Sequence, residues 1–409
     1  MKSVFTLVGM ILLGLGTLNA QKLKKGVWKG SLLREDGQHI VFLFDVSYKQ
    51  QQPVIHIINA DERLEVKQVS QKGDSVFIEM PFFESSFALQ LQKDGSLKGK
   101  WIKGTSRKTQ EMPFVATPGV TERFSKGQPA AAKLNGKWEL TFTSRNGSSE
   151  PAVAEFQQKG NKLTGSISLA SGDYRYLEGI VKGDSLFLST FDGSHAYVFK
   201  AKLAGPDRIG SGVHYSGPVY TGNFSGKRNE NAVLSMDEVA VKLKPGEDKL
   251  NFRFPDLDDK LVGIDDARFR NKVVVIQIMG SWCPNCMDET AYLSDFYKKN
   301  KERGIEMLAL AYEYSLDNER SKKSLRKFQQ RFNVDYPILL TGVTSSDTLR
   351  TEKTLPQITP IKSFPSTIFI GKDGKVKKVH GGFFGPATGD LYTQYTREFE
   401  ETIDSLLVD

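Results

Sequence analysis

The chain has 409 residues, of which 39% are hydrophobic and only two are cysteine, so its core must hold itself and a disulfide-stapled scaffold is excluded. The formal charge of +8 sits at the front: residues 21–245 carry 31 Lys and Arg against 23 Asp and Glu, whereas 246–409 carry 24 against 25. The basic residues are scattered between strand-like runs, which reads as a solvated surface and not as a nucleic-acid site.

Residues 1–20 have one lysine (Lys2), an apolar run from Val4 to Leu15 and a small-residue exit at Asn19-Ala20, the layout of a cleaved secretory leader. The run is short and interrupted by Gly9 and Gly14, which disfavours a membrane span, and no cysteine stands at the cut to take a lipid. The mature chain is expected in the periplasm or outside the cell.

From Gly26 to about Phe224, short β-branched and aromatic runs alternate with Gly, Asp, Asn and Ser, the pattern of an all-β antiparallel sandwich or barrel. The region repeats. Gly26-Val27-Trp28 returns as Gly136-Lys137-Trp138, and Lys72-Gly73-Asp74-Ser75 returns as Lys182-Gly183-Asp184-Ser185, both at an offset of 110. Phe124-Ser125 and Phe224-Ser225 suggest copy ends at an offset of 100. We therefore expect a first β repeat over 21–125, a second over 126–228 and a linker over 229–249. The Gly-x-Trp resembles the opening of lipocalin-like barrels, although a Trp that merely anchors its sheet would look the same. Two barrels and one shared sandwich both fit.

Beyond the linker, over 250–409, the pattern changes to alternating strands and helices: an apolar strand at 273–279, a helix over 284–303, a strand at 305–311, a helix over 319–332, a short strand at 338–340, a strand at 366–370, a hairpin through Asp373-Gly374 and a last helix over 390–407. This implies an α/β domain with a parallel sheet and one antiparallel hairpin. Both cysteines lie where the first strand meets the first helix, in Trp282-Cys283-Pro284-Asn285-Cys286. A cysteine at a helix N-cap faces unpaired N–H groups and the positive end of the helix dipole, which favour thiolate. Cys283 is thus the expected nucleophile, Pro284 suits the first helical position, and Cys286, one turn on, is the resolving thiol. An inert disulfide or half of a metal site are the alternatives. A metal needs more ligands than one cysteine pair, and with no His nearby in sequence no metal or cofactor is expected.

Taken with Phe254-Pro255-Asp256-Leu257, Glu289, Phe364-Pro365-Ser366-Thr367 and the stretch His380-Gly381-Gly382 to Gly389, this order resembles the thioredoxin fold, and within it the exported TlpA/ResA-like thiol-disulfide oxidoreductases. The resemblance implies a cis Pro365 facing the cysteines, a Phe364 backbone that pairs with the substrate chain, and a Trp282 that lends a docking surface or serves as a core aromatic. Thioredoxins carry a buried Asp six residues before the first cysteine, where this chain has Gln277; that shifts acid/base duty to Glu289, whose alternative is an ordinary first-turn carboxylate. The implied partners are protein thiols and disulfides and a membrane electron donor, with reduction, as in cytochrome c maturation, the usual direction. Pro284-Asn285 lacks a proline directly before the second cysteine, so an oxidant or isomerase stays open. A rival reading makes the β region a module for a ligand or partner, with the redox domain as its sensor.

Overall fold

Strands with buried and exposed residues in alternation fold the front of the chain into two antiparallel β units, in a computed structural model that describes residues 21–106 and 108–408. The expected leader, 1–20, lies outside the described residues. In the first unit nine strands run from Gly26–Leu33 to Gln110–Pro118, and first and last pair, Trp28 opposite Pro118 and Leu32 opposite Phe114. In the second, from Gly136–Thr143 to Tyr220–Arg228, the strands Ser149–Lys159 and Lys162–Leu169 also pair, so the sheet closes on itself.

The repeat is structural. Trp28 and Trp138 are fully buried, and each indole N–H donates to the carbonyl four residues earlier, Lys24 at 2.8 Å and Leu134 at 3.0 Å. Gly73 and Gly183 take the same left-handed turn, φ 58° and 53°. Phe142 faces Phe224 as Leu32 faces Phe114, so the offset of 110 holds to the last strand. The echo at Phe124 is a coincidence: that residue follows the last strand of its unit, whereas Phe224 lies inside its own, so the offset of 100 marks no equivalent copy ends. The result is two barrel-like sheets in contact, with Phe191 of the second stacked on Phe42 of the first at 4.3 Å between ring centres.

The C-terminal sheet has the order Ile338–Leu340, Ile305–Ala311, Val273–Met279, Ser366–Ile370, Val376–Gly381; the first three strands are parallel and the last two antiparallel. Its helices are α1 (Pro284–Asn300), α2 (Asn318–Phe332), the short α3 (Arg350–Thr354) and α4 (Asp390–Val408). All of Val273–Met279 is buried, as a central strand covered on both faces requires. Val273, Val275 and Met279 face Leu293, Leu325 and Phe399 of the long helices, and this core runs on into the first barrel. Val274, Ile276 and Ile278 meet irregular segments carrying Phe252, Leu355 and Ile361.

Candidate functional site

After Met279 the chain turns so that Cys283 becomes the N-cap of α1, extended at φ −97° and ψ 120°, with Pro284 at the first helical position. The Cys286 N–H donates to Cys283 Sγ at 3.1 Å, one of the orphan donors a helix start offers. The two cysteines are joined as a disulfide, so Cys283 Sγ stands here for the thiolate of the reduced pair. Cys283 is 3% exposed and Cys286 is fully buried. The Phe364–Pro365 bond is cis, and the Phe364 carbonyl oxygen lies 3.5 Å from Cys283 Sγ. Trp282 stacks on Tyr314 at 4.9 Å, meets Phe364 edge-on at 5.4 Å, and donates through Nε1 to the Tyr312 carbonyl. Trp282, Cys283, Pro284, Cys286, Phe364 and Pro365, far apart in sequence, thus share one place.

Beneath the disulfide lies Glu289, fully buried on α1. Gln277 Nε2 donates to its Oε2 at 2.8 Å and also reaches the Cys286 carbonyl at 3.5 Å; Thr367 Oγ1 and Tyr395 Oη donate to Oε1 at 2.6 and 2.7 Å. Burial pushes the carboxyl up, against the pull of Thr367, Tyr395 and Gln277. Gln277 thus replaces the thioredoxin acid with a donor that fixes another one. Gln277, Thr367 and His380 are paired across adjacent strands, and directly opposed residues share a face, so they form one rung under Glu289.

The β units close over the nucleophile's helix. Asn285, between the cysteines, donates through Nδ2 to Asp173 Oδ2 of the second barrel at 3.0 Å, and the same oxygen accepts from the Gly385 N–H at 2.7 Å. Arg175 Nε and Nη2 donate to Asp288 of α1 at 2.8 and 3.0 Å, and Nη2 to Glu62 of the first barrel at 2.6 Å, so one guanidinium ties all three bodies. Burial raises the Asp173 carboxyl and pushes Asp288 to about 7 in spite of Arg175. Gly382, at φ 78°, lies where any Cβ would press on the Ala170 carbonyl, so the Gly-rich stretch after His380 is the seam that lets the barrel in. Behind Trp282, buried Glu313 accepts from Ser281 N–H and Oγ–H at 2.7 and 2.6 Å and is pushed up to about 7 by burial.

Sequence reasoning missed Asp173, Arg175, Asp288, Glu313 and Tyr395. Glu313 alone had a signal, since it follows the carboxyl end of a sheet strand, where α/β sites gather. The pairing of Asn285 with Asp173 spans 112 residues and that of Glu289 with Tyr395 spans 106, with no motif to announce either.

Residues 244–393 match the family model Redoxin. The chain is 27% identical over 135 residues to the thiol-disulfide oxidoreductase ResA of Bacillus thuringiensis subsp. konkukian, covering 33% of this chain and 68% of that protein. It is 29% identical over 152 residues to ResA of Bacillus subtilis, covering 37% and 74%. Among solved structures, a thiol:disulfide interchange protein of the thioredoxin family from Chlorobium tepidum TLS aligns over 41% of this chain and 99% of its own, at 17% identity and a TM-score of 0.30. Both β units lie outside the Redoxin match.

Proposed function

From the premise that residues 244–393 form a Redoxin-family thiol-disulfide oxidoreductase domain, we propose that the protein is an exported, periplasmic reductase of protein disulfides, fed by a membrane electron donor and serving substrates such as apocytochrome c. The observation that carries this reading is Cys283 at the N-cap of α1, between the Cys286 N–H and the Phe364 carbonyl that precedes cis Pro365. A substrate chain laid along Phe364 brings its sulfur to Cys283, with Trp282, Pro284 and Pro365 as the docking surface. The Cys283 thiolate attacks the substrate disulfide. Cys286 then attacks the mixed disulfide, giving its proton to Glu289, and releases the reduced substrate.

The acidic surroundings support the reducing direction. The guanidinium packed against α1, Arg175, is engaged by Asp288 and Glu62, and Asp173 adds a further carboxyl beside Asn285. A thiolate with little cationic support makes a weaker oxidant of its disulfide. Export is supported by the layout of residues 1–20, and no helix among the described residues is long and apolar enough to cross a membrane.

The test is the reduction potential of the Cys283/Cys286 pair, by equilibration in dithiothreitol and glutathione buffers. A value near the thioredoxin range, about −270 mV, supports a reductase. A value of about −120 to −180 mV replaces it with an oxidant or isomerase.

A further inference from the structure

Glu289 is sealed from solvent by its own hydrogen-bond partners, yet a group that takes a proton from Cys286 in each turnover must pass it on. The disulfide side offers no evident way out, since Cys286 is fully buried and Asn285, on the barrel side, is held by Asp173. The opposite side does. A cavity of about 320 Å³ lies between the second barrel, the linker and α4, with Tyr395 and His380 in its wall facing Ser166 and Ser168 of the barrel.

Three observations link this cavity to Glu289. Tyr395, 6% exposed, both donates to Glu289 Oε1 and lines the cavity. The His380 ring packs on the Tyr395 ring at 5.1 Å, and His380 pairs with Thr367, the other donor to Oε1. His380 Nε2 and Ser166 Oγ are buried polar atoms without a protein partner that belong to residues lining this same cavity. Much of the wall is apolar, from Val153, Leu234, Met236 and Phe384, but the space is roomy and these unpartnered polar atoms give water the partners it needs to enter.

We propose that Tyr395 and His380 form the proton outlet of Glu289, opening into the cavity between the second barrel and α4. The inference rests on the disulfide-exchange reading above and gives the second barrel a part in it, as one wall of the outlet. When Cys286 attacks the mixed disulfide, the Cys283–Cys286 bond forms, the bond from Cys283 to the substrate sulfur breaks, and the substrate sulfur leaves with the electron pair and takes a proton from solvent. The Cys286 proton goes to the Glu289 carboxylate. Protonated Glu289 then donates to Tyr395 Oη while the Tyr395 O–H swings toward the cavity, reversing the resting hydrogen bond. The Glu289 proton passes to Oη as the hydroxyl proton moves to cavity water, which restores the Tyr395-to-Glu289 hydrogen bond and leaves no charge behind. Tyr395 keeps its hydroxyl proton at rest, since burial and Glu289 hold it well above the usual phenol range. Burial, with Lys378 adding to it, lowers His380 to about 4, so its imidazole is neutral and free to orient water. Tyr336 and Tyr292 complete the titratable surroundings of Glu289 and Tyr395, and Lys137, Glu155 and Glu398 stand around the cavity.

Tyr395 and His380 are positioning residues acting through Glu289, so the readout must separate proton transfer from fold. Reduced full-length protein is mixed with glutathione disulfide, and formation of the Cys283–Cys286 bond is followed by acid quench and alkylation between pH 5.5 and 9, in H₂O and D₂O. Tyr395→Phe is expected to slow resolution by about 10²-fold, the lower end of what a positioned acid or base contributes, with a changed pH profile and a larger solvent isotope effect. His380→Ala is expected to slow it similarly and to recover when free imidazole is added, which also serves if Tyr395→Phe fails to fold. Wild-type rates in both variants at every pH, or a uniform slowing that ignores pH, D₂O and imidazole, would overturn the outlet while leaving the disulfide-exchange reading intact. If the wild-type protein forms no mixed disulfide with glutathione, that reading itself fails first.

Discussion

Replacing Arg175 by methionine removes the cation that ties both barrels to α1. The guanidinium side chain is 6% exposed and its partners Asp288 and Glu62 are 11% and 13% exposed, so all three charges are largely out of water. Breaking such a buried pair from one side costs about 3–5 kcal/mol, because the surviving carboxylates lose their partner. Asp288 already sits near 7 with Arg175 present, so in the variant it takes up a proton and limits the loss at pH 6. Above pH 7 that escape weakens, and the deficit should grow by about 1.4 kcal/mol per pH unit. We expect a destabilisation of about 3 kcal/mol at pH 7 by urea unfolding, larger at pH 8 and smaller at pH 6, with faster alkylation of reduced Cys283 as the barrel lifts. Adding Asp288→Asn should recover part of the loss at pH 8, since it removes one of the stranded charges. A loss below about 1 kcal/mol that is flat from pH 6 to 8 would refute the buried-pair argument behind this estimate.

Cys286→Ser should leave Cys283 able to attack and unable to resolve, so that a covalent adduct with a disulfide-bonded protein accumulates on non-reducing gels; its absence, with Cys283 intact and reduced, would count against Cys283 as nucleophile. Glu313 holds its proton to about pH 7 in the folded chain, whereas in the unfolded chain a glutamate releases it at the ordinary value near 4.5. Its contribution is therefore greatest below that lower value and falls as pH rises toward 7, by up to roughly 1.4 kcal/mol per unit. In Glu313→Gln that slope should vanish from the stability curve between pH 5 and 7, and an unchanged slope would assign it elsewhere. Trp28→Ala and Trp138→Ala should each cost about 3–5 kcal/mol in denaturant unfolding, as equivalent buried anchors of two copies; a loss under about 1 kcal/mol at either would break that equivalence.

What could be read in advance was local. The duplicated Gly-x-Trp and Lys-Gly-Asp-Ser turns are each set by a few neighbouring residues, and so is a cysteine pair at a strand-to-helix junction, where N-cap geometry and Pro284 act within one turn. The strand at 273–279 was legible because burial on both faces demands an unbroken apolar run. Phe124 misled because a dipeptide match carries no pairing information; the strand register, Phe142 opposite Phe224 and Leu32 opposite Phe114, decides equivalence. Whether the copies formed one sandwich or two barrels depended on which strands close each sheet, which short polar turns do not encode.

The site illustrates the limit more sharply. The residue between Pro284 and Cys286 reads from sequence as a tuner of the cysteine pair through the helix start alone. In the fold its side chain is committed to Asp173, and Gly172 beside it leaves no room for a side chain against Asn285. Changing Asn285 therefore changes two things at once, the electrostatics of the helix start and the docking of the barrel, and a potential measured on such a variant mixes both. Asp173→Asn comes nearer to separating them: it keeps an acceptor for Asn285 Nδ2 and the Gly385 N–H and removes the carboxyl charge, at the loss of the Arg175 backbone N–H bond to the other oxygen at 2.6 Å, so alkylation of reduced Cys283 serves as the control for seating. If the acidic surroundings hold the pair reducing, this substitution should raise the potential with the barrel still seated, because one carboxyl fewer opposes the Cys283 thiolate. An unchanged potential with unchanged alkylation would mean that the barrel acts on the site by shape and not by charge.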